Sequence, residues 1–162
     1  MKGTKKVKMK FEKYKFKEYD PKYKRLFQLE KNRLKKIFPN AEIEHIGSTA
    51  VEGLGGKGII DINLGVRKSE VKKAIEKLNE NRYSQINTPG SGKERWFFEK
   101  DRIYRGKTER FHIHLTIFNS DTWKNCILFR NALKENKKLC DKYSEIKKKA
   151  IENNLKNEEY KN

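Results

Sequence analysis

The sequence predicts an α/β domain of the α+β type, in which strands with one apolar face pack against amphipathic helices. Three observations carry that expectation. Residues 59–66 and 110–118 alternate apolar and polar side chains, as half-buried strands do. Segments after Asp20, Ser69 and Asn119 instead space their apolar residues three and four apart, as helices do. The length, 162 residues, suits one domain, and with only 35% hydrophobic against 38% charged residues the core has to come from such periodic segments.

Residues 1–18 come first and alternate Lys with Val7, Met9, Phe11, Tyr14 and Phe16. A basic arm whose aromatics stack on bases and an edge strand pinned by those aromatics both fit. At Tyr19-Asp20-Pro21 a helix begins, because Asp20 can cap it and Pro21 suits its first turn. Leu26, Phe27, Leu29, Leu34, Ile37 and Phe38 form its apolar stripe, and Pro39-Asn40 ends it. Residues 42–46 read as a short strand, followed by the loop Gly47-Ser48-Thr49 and a Gly-rich stretch through Gly58.

In the strand 59–66, Ile60, Ile62, Leu64 and Val66 share one face; Ile59, Asp61, Asn63 and Gly65 share the other. A helix follows over 69–81 with Val71, Ala74, Ile75 and Leu78 inward, then a loop over 85–93 containing Pro89-Gly90-Ser91-Gly92. Residues 95–104 and 110–118 predict a hairpin joined near Gly106-Lys107. Its second strand turns Phe111, Ile113, Leu115 and Ile117 one way, and Arg110, His112, His114 and Thr116 the other. Asn119, Ser120 or Asp121 caps a helix through Trp123, Ile127, Leu128, Phe129 and Leu133. A second helical stretch starts near Lys137 and frays after Leu155, which gives one domain over 19–155 and a polar tail over 156–162. Trp96, Phe97, Phe98, Trp123 and Phe129 are read as core.

The formal net charge of +18 favours anionic partners such as nucleotides or RNA, and equally suits a Lys-rich solvated surface. Cys126 and Cys140 have neither metal-ligand spacing nor a disulfide framework, so reduced thiols and a cytoplasmic setting are expected. No apolar run approaches the roughly 20 residues that span a bilayer, and the basic amino terminus lacks an apolar signal core. No membrane partner is expected.

The polar positions on the two alternating strands are Asp61 and Asn63, His112 and His114. One-sided burial explains the alternation, but these residue types suit cations and proton transfer better than an exposed sheet does. Upstream of Asp61, the Gly47-Ser48 turn offers the backbone N–H groups of Ser48 and Thr49 to a phosphate. A nearby carboxylate suits the Mg²⁺ that bridges phosphates. Lys57 and Arg95 are candidate phosphate binders, and His45 is placed to support the turn.

The run His45-Ile46-Gly47-Ser48-Thr49-Ala50-Val51, then Gly53-Leu54, Lys57 and Ile59-Ile60-Asp61-Ile62, resembles the signature of the GrpB family. Tyr19-Asp20-Pro21, Arg95-Trp96-Phe97-Phe98, Phe111-His112-Ile113-His114-Leu115 and Trp123 with Phe129-Arg130 extend the resemblance from 19 to 150. Glu52 and Gly58 stand where that family usually has Pro, which loosens the loop without removing a charged ligand. GrpB proteins are in turn similar to the nucleotidyltransferase superfamily. The resemblance implies a mixed sheet flanked by helices, with a Gly-Ser turn and carboxylates holding two Mg²⁺ ions. Gly47, Ser48 and Asp61 match that pattern. Asn63 stands at the second carboxylate, and a histidine of the 112/114 pair stands on the strand of the third.

The expectation is therefore a nucleotidyltransferase-like protein that binds a nucleotide or other phosphorylated small molecule with Mg²⁺ or Mn²⁺. Asp61, His112 and His114 carry the chemistry, Gly47, Ser48, Thr49, Lys57 and Arg95 hold phosphate, and Asp61, Asn63, His112 and His114 bind metal. A non-catalytic nucleotide binder or a basic RNA-binding accessory protein on the same fold is the alternative.

Overall fold

The structure, a computed structural model, describes residues 15–89 and 91–159. The expected basic arm lies almost wholly outside the described residues. At its end Lys17 exchanges two backbone hydrogen bonds with Gly56, at 2.7 and 3.0 Å.

The order is α1 (Lys22–Ile37), β1 (Glu42–Ile46), a single 3₁₀ turn (Ser48–Ala50), β2 (Ile60–Val66), α2 (Val71–Glu80), β3 (Ser84–Ile86), β4 (Arg95–Tyr104), β5 (Lys107–Ile117), α3 (Asp121–Glu135) and α4 (Lys137–Glu159). The strands form one mixed sheet in the order β1-β2-β5-β4-β3, antiparallel except where β2 meets β5. The expected mixed sheet flanked by helices is what the chain builds.

Alternation decides how the layers stack. Ile60, Ile62 and Leu64 of β2 join Phe111, Ile113 and Leu115 of β5 in one buried cluster with Tyr23, Leu26 and Leu34 of α1 and Val71, Ala74 and Leu78 of α2. Trp123 of α3 lies on the opposite face, where its carbonyl accepts from Asn63. A smaller cluster of Val51, Leu54, Leu133 and Cys140 ties α3 and α4 to the loop after β1. Asp20 accepts from the Lys22 N–H at 2.9 Å and Ser120 from the Trp123 N–H at 3.2 Å, the two expected caps.

Four details differ from the sequence expectation. Residues 84–86, partly assigned to a loop, form the edge strand β3; three residues are too few to show an alternation. Strand β5 starts at Lys107, because Arg105 and Gly106 both take positive φ, 48° and 77°, and make a two-residue turn. Helix α4 continues to Glu159, since no Gly or Pro interrupts 156–159. Phe129, expected in the core, is 49% exposed and meets Tyr143 edge-on. Among the described residues no helix is long and apolar enough to cross a membrane.

Candidate functional site

Sheet register assembles the site. Parallel pairing of β2 with β5 sets Asp61 beside His112 and Asn63 beside His114. Antiparallel pairing of β1 with β2 sets Ile46 opposite Asp61, and the chain leaves Ile46 directly into the 3₁₀ turn. The turn is thereby delivered to the end of the sheet that carries Asp61. Gly47 makes the approach possible. Its φ is +74°, and a Cβ there would stand 2.5 Å from Asp61 Oδ2.

Asp61 Oδ1 accepts from His114 Nε2 at 3.0 Å and lies 3.7 Å from His112 Nδ1. The second nitrogen of His112 is 3.9 Å from Glu99 Oε2. Burial alone would raise the Asp61 carboxyl. The hydrogen bond and charge of His114, then the charges of His112 and Lys147, outweigh it and hold the carboxyl below its ordinary range. Burial pushes the His112 imidazole down despite the opposing pull of Asp61, so at neutral pH it is uncharged and able to take a proton. His114 meets Asp61 through Nε2, and its Nδ1 is buried and without a hydrogen-bond partner among the described residues.

Asp61 and His112, but not His114 or Glu99, border a cavity of about 350 Å³. Ser48 and Lys57 line it from the loop side, Ile59 and Asp61 from the β2 side, and His112 from β5. Helix α4 supplies Lys147, Ala150 and Ile151. A Cβ on Gly56 would lie 2.6 Å from Ser48 Oγ and 3.7 Å from Lys147 Nζ, so bare backbone leaves room for both polar ends.

The other candidate residues stand apart from the cavity. Thr49 Oγ1 donates to the Ile59 carbonyl at 3.1 Å, so its 2.9 Å contact with His45 has the imidazole Nε2–H as donor. His45 stacks on Phe27 at 4.6 Å, and burial pushes it down to about 4. It is a neutral strut beneath the turn. Asn63 is fully buried; its Oδ1 accepts from Thr116 Oγ1 at 2.7 Å and its amide donates to the Trp123 carbonyl at 3.4 Å. Arg95 pairs opposite Thr116, donates to Cys126 Sγ at 3.3 Å and borders a different cavity with Ser91, Lys93 and Thr122.

Two residues at the site escaped sequence reasoning. Glu99 follows from hairpin register, which sets it opposite His112. Lys147 is the third of Cys140, Ser144, Lys147 and Ile151, a series at helical spacing on one face of α4. Cys140 and Ile151 are buried, and Ser144 Oγ accepts from the Gly55 N–H at 3.3 Å. A lysine on that inward phase was the available signal.

A pair of Mg²⁺ ions does not fit this donor set. Asp61 is the one carboxylate lining the cavity, one of its oxygens is engaged by His114, and the Asn63 oxygen is engaged by Thr116. Among the described residues no group of three His, Cys, Asp or Glu is arranged to hold a metal ion. Mg²⁺ prefers oxygen ligands, and the neighbouring donors here are imidazoles.

The profile of the family described as "GrpB protein" matches residues 13–162. The glutamate-rich protein GrpB of Alkalihalophilus pseudofirmus is 33% identical over 138 residues, covering 80% of this chain and 76% of its own. A UPF0157 protein of Halalkalibacterium halodurans is 30% identical over 139 residues, covering 83% and 68%. The crystal structure of conserved protein GrpB from Enterococcus faecalis superposes with a TM-score of 0.68 at 29% identity, over 85% of this chain and 82% of that one.

Proposed function

The chain belongs to the GrpB family, and we propose that its Asp61 cavity binds the phosphate end of a nucleotide or another phosphorylated small molecule. The observation that carries this reading is the convergence of a Gly-Ser turn, two lysines and one histidine-held carboxylate on a single cavity of about 350 Å³. The Ser48 hydroxyl donates to a phosphate oxygen, and Lys57 supplies opposite charge. Ile59, Ala150 and Ile151 give the apolar wall that the rest of a small molecule needs. His112, neutral and close to Asp61, is the group able to take a proton from a bound acceptor.

Two-ion nucleotidyl transfer is not assigned, because among the described residues no donor set for it is assembled. The Mg²⁺ or Mn²⁺ expectation is kept in one form, a single ion shared between Asp61 and a ligand phosphate. Calorimetric titration with ATP, GTP and pyrophosphate, each with EDTA and with Mn²⁺, tests both parts. Binding that weakens about tenfold in Ser48→Ala, the loss of one charge-assisted hydrogen bond, supports the phosphate reading. No binding by any of the three under either condition removes it. Tightening by Mn²⁺ supports the single ion.

A further inference from the structure

We propose that Lys147, carried into the cavity by α4, is a phosphate-binding residue, and that its charge makes anion binding independent of any divalent ion. The inference rests on the phosphate reading of the Asp61 cavity and names the group that grips the ligand there.

Helix phase is the first argument. Lys147 stands between Ser144, which accepts from the Gly55 N–H, and Ile151, which is 6% exposed. A lysine on such an inward face places its ammonium away from bulk water, which costs stability unless a partner compensates. Burial accordingly pushes the Lys147 ammonium below its ordinary value, the Asp61 charge pulls it back up, and Lys57 adds to the lowering. The salt-bridge partners of Asp61 among the described residues are His112 and His114, so Lys147 senses that carboxylate without pairing with it. Its described contact is the Tyr143 ring, with Nζ 5.3 Å from the centroid.

Convergence with the turn is the second. Ser48 Oγ and Lys147 Nζ approach the same bare backbone at Gly56 from different elements. A hydroxyl donor and an ammonium that meet across a glycine present two donors to one oxyanion.

Charge balance is the third. Lys57 and Lys147 line the cavity with a single lining carboxylate, Asp61, so lysines outnumber acids along its wall. The missing carboxylates fit this arrangement. Further acids would neutralise it, whereas a lysine supplies directly the charge that a metal ion supplies elsewhere.

The test is calorimetric titration of the full chain with pyrophosphate in EDTA, comparing wild type with Lys147→Met, Lys147→Arg and Ser48→Ala. Wild type is expected to bind without metal, Lys147→Met to lose at least 30-fold, and Lys147→Arg to stay within about fivefold because the charge is kept. Wild-type affinity that vanishes in EDTA but returns with Mn²⁺ overturns metal independence. If Ser48→Ala weakens binding while Lys147→Met does not, the phosphate reading stands and Lys147 has no part in it. If wild type binds pyrophosphate neither in EDTA nor with Mn²⁺, both fall together. Should Lys147→Met not fold, lysine side-chain NMR of the wild type decides. The Lys147 signal must move on saturation with pyrophosphate, and an unmoved signal contradicts the proposal.

Discussion

Glu30 and Asp61 are two carboxylates drawn into one small domain on opposite faces of its sheet, and the chain surrounds them in opposite ways. Glu30 is 0% exposed. Its oxygens accept from Tyr83 Oη at 2.6 Å, from Arg102 at 2.6 and 3.0 Å, and from Arg33 at 3.0 Å. Burial raises its pKa, and the bonds from Arg102, Tyr83 and Arg33 overcome that and hold it low. Asp61 keeps 24% of its side chain exposed, has one histidine at hydrogen-bond distance and faces a cavity. A buried charge saturated by its own chain fixes architecture. One that is only partly satisfied, beside cations and open volume, has coordination left for a ligand.

The sharpest way to break this comparison is to empty the saturated site. Glu30→Ala leaves Arg102 and the Tyr83 hydroxyl without their acceptor, and losing one member of a buried ion pair costs about 3–5 kcal/mol. Urea denaturation is expected to show that loss, while pyrophosphate affinity of the folded protein stays within twofold of wild type. Binding that collapses as well would mean that the two faces are not separate in role.

The next largest effect is expected at Asn63. Asn63→Asp restores a carboxylate at the position the nucleotidyltransferase pattern predicts, but inside a sealed contact. Thr116 can still donate to it, whereas the Trp123 carbonyl would face an acceptor in place of an amide donor. A loss of about 1–3 kcal/mol is expected from the unsatisfied buried groups, measured by thermal unfolding, with no gain in Mn²⁺ affinity. Stronger Mn²⁺ binding would show that this strand face opens to the cavity.

How much of this was legible follows from the same residues. Period-two alternation was enough to separate Asp61 and His112 from the core face, since every second side chain must share a face. The Gly47 turn was legible because it adjoins β1 in sequence. Parallel pairing of β2 with β5, which sets Asp61 beside His112, depends on a crossover through α2 and the hairpin that no local pattern encodes. A guanidinium suits phosphate, which makes Arg95 a candidate from sequence, yet register puts it opposite Thr116, whereas Glu99 is the β4 residue opposite His112. Lys147 was hidden among 40 basic residues, and only its inward phase on α4 distinguishes it.

The smallest expected effect concerns Asp61 itself. Asp61→Asn keeps an acceptor for His114 and removes the charge. The folded-state pKa of Asp61 lies below its unfolded value. Its contribution is therefore fully present above the ordinary carboxylate pKa, near 3.9, and is lost as pH falls through the depressed value. Thermal unfolding between pH 7 and 2 is expected to show a small wild-type advantage that closes at the acid end. In EDTA the variant should bind pyrophosphate at least as well as wild type, because a like charge has gone, while any tightening by Mn²⁺ disappears. An advantage that persists unchanged to pH 2 would mean that the carboxylate is not held low by its neighbours.

The most direct examination of the cavity is a crystal structure of the full chain grown with pyrophosphate and Mn²⁺. Phosphate density is expected between the Gly47-Ser48 turn and Lys147, within hydrogen-bond distance of Ser48 Oγ, with any Mn²⁺ touching Asp61. Pyrophosphate bound only elsewhere on the basic surface, with this cavity holding solvent alone, would contradict the reading.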